Sequence, residues 1–87
     1  MTGRLWREGE PIAVTATDQG KPLSFVWLGE RHLVERICDR WRASEEWWRT
    51  DDEAWRDYIK LATRSGLLCL VAHDGGTQNW WLIRLYN

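Results

Sequence analysis

The sequence predicts an all-β protein with six antiparallel strands in sequential order, forming a strongly curved sheet or a small barrel. Short runs of strand-favouring residues are separated by turn residues, and several of these runs carry apolar side chains on both faces. The chain has 87 residues, which is enough for one domain. We predict a loose N-terminal arm over residues 1–10 and a single β domain over residues 11–87.

The N-terminal half of the chain predicts three strands that are separated by short turns. Residues 12–16 alternate between larger apolar and smaller or polar side chains, which is typical of a strand. A turn at residues 18–21 leads to the run PLSFVWL at 22–28, whose β-branched and aromatic residues favour a second strand. A tight turn at residues 28–31 then leads to a third strand over residues 32–41.

The predicted third strand does not alternate cleanly. Leu33, Ile37 and Trp41 share one parity, but the acidic residues Glu35 and Asp39 share it too. An extra residue in one strand of a pair moves the side chains that follow it to the opposite face. The sequence therefore indicates a β-bulge within this strand.

The segment that follows the third strand fits two interpretations. Residues 51–63 suit a helix, because a Thr-x-x-Glu capping box begins them and apolar residues fall at helical spacings. Residues 56–63 also alternate, and a short turn at 64–66 joins them to the run LLCLVAH, as in a hairpin. We therefore predict a strand at 56–63, with at most a short helical turn near residues 44–54. A turn at 74–78 leads to the last strand, NWWLIRLY.

The composition argues against several classes of protein. With 12 basic and 13 acidic residues the net charge is −1, whereas a general duplex-DNA binder carries a clear basic excess. Cys38 and Cys69 lack a CxxC spacing, so we predict two buried, reduced thiols and no disulfide framework or zinc site. The sequence has no run typical of a signal peptide or a membrane helix. We therefore predict a cytoplasmic protein that does not contact a membrane.

The sequence contains no recognisable catalytic motif. His32 and His73 lack a second histidine at metal-ligand spacing, and we expect both to be solvated or at strand ends and turns. The serines lie outside any nucleophile-elbow pattern, and the Gly75–Gly76 pair belongs to a turn. The acidic residues 51–53 suit a solvated loop or a helix N-terminus. We predict that the protein is not an enzyme and uses no metal or cofactor.

Arginine residues and aromatic residues are interleaved along the second half of the chain. The eight tryptophans could build the core of a small domain, or some of them could form a contact surface. In the last strand, Trp80, Leu82, Arg84 and Tyr86 are predicted to share one face. Aromatic rings beside arginine suit single-stranded nucleic acid, protein hot spots, or packing of arginine stems within the fold. The predicted binding residues are Arg40, Trp41, Trp47, Trp48, Arg49, Arg56, Tyr58, Trp80, Arg84 and Tyr86.

Four segments, RICDRW, EEWWR, RDYIKLATRSG and NWWLIRLYN, resemble a small bacterial domain of unassigned function. The resemblance covers about residues 20–87. That domain occurs alone and at the C-terminal end of mutasome adaptor proteins, which are catalytically inactive relatives of Y-family DNA polymerases. These adaptors act in damage-induced mutagenesis. The resemblance implies a hairpin over residues 56–73 and a link with DNA repair.

These observations lead to one expected function and one alternative. We expect a non-enzymatic protein-interaction module, linked to DNA repair or damage-induced mutagenesis, whose partner is a protein of that machinery. The alternative is single-stranded nucleic acid binding through a stacking face of Trp and Arg side chains. A domain whose tryptophans all belong to the core is the third interpretation of the same composition.

Overall fold

The described residues form a closed β-barrel. A computed structural model describes residues 4–43, 56–75 and 78–86. Consecutive strands pair in antiparallel fashion, and the sixth strand pairs with the first to close the barrel. The predicted all-β meander of six strands, in the form of a small barrel, is therefore confirmed. The strands are β1 (Arg4–Ala16), β2 (Pro22–Trp27), β3 (Glu30–Ala43), β4 (Arg56–Thr63), β5 (Leu68–Asp74) and β6 (Trp80–Leu85).

The ambiguous residues 56–63 form a strand. β4 has those bounds, and it pairs with β3 on one side and with β5 on the other. Buried and half-buried side chains alternate along it, as expected for a strand with one face in the core. The short helical turn predicted near residues 44–54 lies outside the described residues. Within the described ranges, no helix is long and apolar enough to cross a membrane.

The N-terminal residues form part of the barrel. β1 begins at Arg4, where it pairs with the end of β6, and this pairing resumes at Glu10 after an irregular stretch. The prediction of a loose arm over residues 1–10 is therefore wrong for residues 4–10. Strand pairing uses main-chain hydrogen bonds, so a polar stretch without apolar alternation can still complete a barrel.

Apolar side chains from β2, β4, β5 and β6 fill the barrel interior. They form one cluster, in which Ile59, Leu61 and Leu82 are fully buried. Full burial of a Leu or Ile side chain is worth about 1.5–3 kcal/mol, so this cluster is the main source of stability. The cluster consists of Phe25, Ile59, Leu61, Cys69, Val71, Trp80, Leu82 and Leu85.

The two cysteines lie in different environments. Cys69 is buried in the core cluster, as predicted, and burial raises the pKa of its thiol to about 11. Cys38 is exposed, so the prediction of a buried thiol is wrong at this position. The reason is a bulge in β3, which places Cys38 outside the regular pairing with β4.

β3 contains two irregularities, and the predicted bulge is therefore confirmed. Glu35 and Cys38 have no partner in the otherwise continuous register with β4. Each inserted residue reverses the facing of the side chains after it. Ile37 consequently packs against the core, whereas Leu33 and Trp41 are exposed although they share its parity.

β6 also changes its facing part-way along. Leu82 and Arg84 pair with consecutive residues of β5, so Ile83 is an inserted residue. Before this bulge the side chains of Trp80 and Leu82 belong to the core, whereas Arg84 is exposed. The prediction that Trp80, Leu82, Arg84 and Tyr86 share one face is therefore wrong.

The β2–β3 connection is a two-residue turn with an unusual residue in it. Leu28 has a φ of 52° and Gly29 a φ of 76°, the pattern of a type I′ turn. Asn-Gly is strongly preferred in such turns, because a left-handed conformation costs other L-residues roughly 1–2 kcal/mol. Leu28 thus occupies an unfavourable conformation while its side chain is 72% exposed.

We expect Leu28→Asn to raise the free energy of unfolding by about 0.5–1 kcal/mol, because Asn tolerates the left-handed conformation and little apolar burial is lost. Urea denaturation followed by tryptophan fluorescence measures this change. Leu28→Ala is the matched control: it removes the same exposed side chain but keeps the backbone strain, and should give no gain. Equal stability of the two variants would contradict the explanation.

Candidate functional site

One end of the barrel interior is polar. Asp57 on β4 shares the inward parity of the core residue Ile59. It pairs with Arg42 on β3 and with His73 on β5. The row is completed by Trp80 on β6, which pairs with His73. Three side chains with polar or charged groups thus follow one another across this end of the barrel.

A carboxylate lies between two arginines in this row. Arg42 donates from Nε to Oδ1 of Asp57 at 3.0 Å, and Arg40 donates from Nη2 to Oδ2 at 3.2 Å. The Asp57 side chain is 7% exposed, whereas those of Arg40 and Arg42 are 38% and 60% exposed. The buried carboxylate is thus paired on both oxygens, and the guanidinium groups extend toward solvent.

The two arginines hold Asp57 in its ionised form. Burial by itself raises the pKa of this carboxyl group. Hydrogen bonds and positive charge from Arg42 and Arg40 lower the pKa more, so that it lies below the ordinary value of 3.8. The carboxylate is therefore a fixed negative charge at neutral pH, and it orients both guanidinium groups.

A cleft of about 290 Å³ opens beside this ion pair. The β1–β2 turn at residues 16–20 forms one wall, and Arg40, Arg42 and Asp57 form another. His73, Gln78 and Trp80 complete the lining. Among the described residues, no group of three His, Cys, Asp or Glu side chains is placed to hold a metal ion.

His73 and Trp80 form a stacked pair at the base of the cleft. Their ring centroids are 4.3 Å apart and the ring planes differ by 15°. Trp80 is only 9% exposed and belongs to the core cluster. It therefore supports the His73 ring from the core side, and little of its own ring surface is exposed.

The outer surface of the barrel carries a second aromatic arrangement. Trp41 on β3 pairs with Tyr58 on β4, and their rings are stacked with centroids 5.7 Å apart and planes 15° apart. Trp41 is 42% exposed, which is a large fraction for a tryptophan. Ala72 on β5 follows Tyr58 in the register, and Trp81 on β6 follows Ala72.

Basic side chains lie over the other rings of this surface. The guanidinium carbon of Arg56 is 5.7 Å from the centre of the Trp81 ring. Lys60 Nζ and the guanidinium carbon of Arg84 lie 4.8 Å and 4.7 Å from the centre of the Tyr86 ring. These distances are within the range of cation–π interactions, so rings and cations hold one another in place.

Residues 7–87 match the family described as "Domain of unknown function (DUF6504)". The chain belongs to this family. Both the cleft and the outer aromatic surface lie within the matched residues, and the match agrees with the resemblance to a small domain of unassigned function. Neither the curated proteins nor the solved structures include a match to the chain.

The predicted binding residues that the structure describes lie on two separate surfaces of the DUF6504 domain. Arg40 and Trp80 line the cleft. Trp47, Trp48 and Arg49 lie outside the described residues. The outer surface holds Trp41, Arg56, Tyr58, Arg84 and Tyr86.

Several residues of these surfaces were not predicted as site residues. On the outer surface they are Lys60 and Trp81, and in the cleft they are Arg42, Asp57 and His73. Asp57 could have been identified from the sequence, because a carboxylate at a core-facing position of β4 requires a cationic partner. Its partners could not be identified from the sequence, because Ile37, between the two bulges, packs against the core, whereas Arg40 and Arg42, after the second bulge, share the facing of Val34.

At the opposite end of the DUF6504 barrel, His32 belongs to a structural network. It is buried near the start of β3, so it matches the strand-end alternative of the prediction and not the solvated one. Its Nδ1 lies 2.9 Å from Ser65 Oγ, which lies 2.8 Å from Thr63 Oγ1, and that oxygen accepts the Leu67 N–H. Glu30 Oε2 is 4.0 Å from His32 Nε2, beyond hydrogen-bond distance. The His–Ser contact therefore fastens the β4–β5 turn to β3.

Proposed function

We propose that this domain is a non-enzymatic protein-interaction module that binds its partner through the outer surface of β3 to β6. The observation that carries the proposal is the exposed Trp41 ring, stacked on Tyr58 within a surface of fixed rings and cations. This aromatic–cation face consists of Trp41, Arg56, Tyr58, Lys60, Trp81, Arg84 and Tyr86.

The aromatic–cation face is continuous across four strands. Trp41, Tyr58, Ala72 and Trp81 occupy successive positions of one register row. Ala72 is fully buried although it lies on the outer side, because the small side chain lies in the row between two large rings. A row of this kind offers a partner one broad apolar strip instead of isolated rings.

The residue types of the face suit a protein partner. Trp, Tyr and Arg are the residues most enriched among interface hot spots. Their side chains are already held by stacking and cation–π contacts, so binding would order few additional side-chain torsions. A pre-organised surface loses less entropy on association and therefore binds more tightly for the same contacts.

The charge of the face differs from that of the chain. Arg36, Arg56, Lys60 and Arg84 lie on this side, with Asp39 and Asp74 as the paired acidic neighbours on the same strands. The excess is basic, whereas the whole chain carries a net charge of −1. This contrast favours a partner surface that combines apolar and acidic side chains. 

The cellular setting that we propose is the bacterial mutasome, in the cytoplasm. It is supported by the resemblance of RICDRW, EEWWR, RDYIKLATRSG and NWWLIRLYN to the domain that ends mutasome adaptor proteins. In that setting the partner is a protein of the DNA-repair machinery, and the domain contributes a contact surface without a chemical step.

We expect the domain to bind at least one purified mutasome protein in isothermal titration calorimetry, and Trp41→Ala to weaken that binding at least about tenfold. Truncation of an interface hot spot costs about 2 kcal/mol or more, and 1.4 kcal/mol is already a factor of ten. Leu33→Ala is the matched control, because Leu33 is exposed on the same strand but pairs with β2, away from the face. Equal weakening by both variants, or no binding by the wild type to any mutasome protein, would contradict the proposal.

The exposed Trp41 ring beside basic residues also favours a second candidate, single-stranded nucleic acid binding. The same surface argues against it in part, since cations already lie over Trp81 and Tyr86 and a base would have to displace them. Titration with a single-stranded oligonucleotide distinguishes the two functions. Tryptophan quenching that weakens as salt rises supports nucleic acid, because phosphate contacts release counterions. Absence of quenching leaves protein binding as the supported function.

A further inference from the structure

We propose that β3 pairs in antiparallel fashion with β3 of a second copy of this chain, along the part of its edge that β2 leaves uncovered. β3 has 14 residues and β2 has 6, and the register between them covers only residues 30–33 of β3. Within the described ranges, no other strand lies beside residues 34–43 on that side. We call residues 34–43 the open edge of β3.

The open edge is accessible to another strand. Arg36 and Trp41 face outward and Arg40 faces inward, yet all three are exposed. A cleft lies between the β1–β2 turn and Arg40, so this turn does not close the edge. The main-chain N–H of Arg40 donates to Asp39 Oδ1 at 2.8 Å, which is a side-chain acceptor in place of a strand carbonyl. Main-chain groups without a strand partner are those that an added strand binds.

The length of the open edge selects one register for a two-fold dimer. A second β3 that extended beyond residue 34 would meet β2, which already pairs with residues 30–33. The longest antiparallel pairing that avoids this contact joins residues 34–43 of one copy to residues 43–34 of the other. Each contact then occurs twice, once on either side of the two-fold axis. The central pairs of this register are Arg36 with Trp41, Ile37 with Arg40, and Cys38 with Asp39.

These central pairs are compatible in facing and in charge. Arg36 and Trp41 pair with outward residues of β4, whereas Ile37 and Arg40 pair with inward ones, so opposite residues face the same side. The guanidinium group of Arg36 can lie over the exposed Trp41 ring of the second copy. Asp39 of the second copy is its diagonal neighbour and has the opposite charge. The central pairs therefore place no like charges opposite each other.

The irregularities of β3 favour a second copy over an unrelated strand. Bulges and charged side chains at an edge discourage pairing with an arbitrary strand. A second copy has its own inserted residue at Cys38, and in the proposed register the inserted residues of both copies lie beside the two-fold axis. The two bulges then meet each other, whereas a regular strand would meet one bulge without a counterpart. This match and the charge pattern identify a second copy as the occupant of the edge.

The pairing goes beyond the proposed protein-interaction function and is measured on the domain alone. It uses the edge of β3, whereas the aromatic–cation face lies on the outer surface of β3 to β6. A domain that does not self-associate can still bind a mutasome protein, and a dimer can form without one. The failure of either proposal is therefore distinguishable from the failure of the other.

Sedimentation velocity and thiol crosslinking of the full wild-type chain test the pairing. We expect a dimer that dissociates on dilution, and a covalent dimer that bismaleimidoethane joins through Cys38 of both copies. Cys69 does not react, because it is buried and burial raises the pKa of its thiol to about 11. Mass spectrometry of the digested product identifies the joined residues. A chain that stays monomeric up to millimolar concentration overturns the proposal and leaves the edge to a strand of another protein.

Arg36→Asp is the decisive variant, because Arg36 is exposed and the fold is expected to survive its replacement. The charge reversal opposes Asp39 of the second copy twice, so we expect the dimer dissociation constant to rise at least about tenfold and the Cys38 crosslink to weaken. Arg31→Asp is the matched control, since Arg31 is exposed on the same strand but pairs with β2. Equal weakening by both variants, or a dimer that Arg36→Asp leaves unchanged, would overturn the proposal. The wild-type measurements decide the matter even if Arg36→Asp does not fold.

Discussion

Replacing Gly9 with alanine is expected to lower the free energy of unfolding by about 2–4 kcal/mol. Gly9 lies in the irregular part of β1, with a φ of +88°, a conformation that costs an L-residue roughly 1–2 kcal/mol. A Cβ atom there would also lie 2.8 Å from Trp81 Cβ and 2.9 Å from Ile83 Cδ1. Trp81 Cβ is fixed to the backbone of β6, so relief requires the two strands to separate, at a cost of about 1–3 kcal/mol.

Gly66→Ala separates these two contributions. Gly66 has a similar φ of +93°, but a Cβ atom built on it meets nothing within 4 Å. This control therefore carries the conformational cost alone, about 1–2 kcal/mol. Chemical denaturation of both variants measures the difference. If Gly9→Ala proves no more destabilising than Gly66→Ala, the close approach of β1 to β6 does not add to the cost of the substitution at Gly9.

Replacing Asp57 with asparagine is expected to destabilise the domain by about 1–3 kcal/mol at neutral pH. Asparagine has nearly the same shape but leaves Arg40 and Arg42 without their shared negative charge. Breaking a fully buried ion pair costs about 3–5 kcal/mol, and the cost is smaller here because solvent reaches both guanidinium groups. Thermal or urea denaturation at pH 7 measures the loss.

The same substitution should change the pH dependence of stability. Because the pKa of Asp57 is lower in the folded protein than its ordinary value of 3.8, the ionised form favours the folded state. This contribution is complete above pH 3.8 and is lost as the pH falls through the folded pKa. The wild type should therefore lose stability below about pH 4 more steeply than Asp57→Asn does. Parallel pH profiles would contradict this assignment.

Asp39→Asn provides the control for both measurements. Asp39 is exposed, and its Oδ1 accepts the N–H of Arg40 in the next position of β3. Its removal should cost well under about 1 kcal/mol, because an exposed charged contact contributes little. A loss equal to that of Asp57→Asn would mean that burial between two arginines has no special effect.

The order of the strands could be predicted because alternating side chains and turn residues depend on neighbours in the sequence. β4 alternates regularly, so its bounds at 56–63 could be predicted, and the flanking turns identified the hairpin with β5. The start of β1 could not be predicted in this way. Residues 4–10 join the barrel through main-chain pairing with β6. Main-chain pairing leaves no pattern in the side chains, so a polar sequence does not show whether it occurs.

The faces of the strands were harder to predict than the strands themselves. Each bulge shifts every later side chain to the other face, and a bulge depends on how two strands pair and not on one strand's composition. The first bulge in β3 reverses the facing at Ile37 and the second restores it, so Arg40 faces the same side as Val34, and the bulge in β6 moves Arg84 outward from the side of Trp80. The interleaved arginine and aromatic residues were therefore predicted as one group, although those that the structure describes lie on two surfaces.

The pairing of β6 with β1 limits how any partner can be recognised. Every strand in the described part of the chain has a neighbour on both sides, although the register of β2 with β1 covers only residues 13–16 and its register with β3 only residues 30–33. Where a strand is paired on both sides its main-chain groups are already used, so a partner has to recognise those parts of the domain by their side chains. Recognition by side chains gives high sequence selectivity, and closure of the barrel limits aggregation through strand addition.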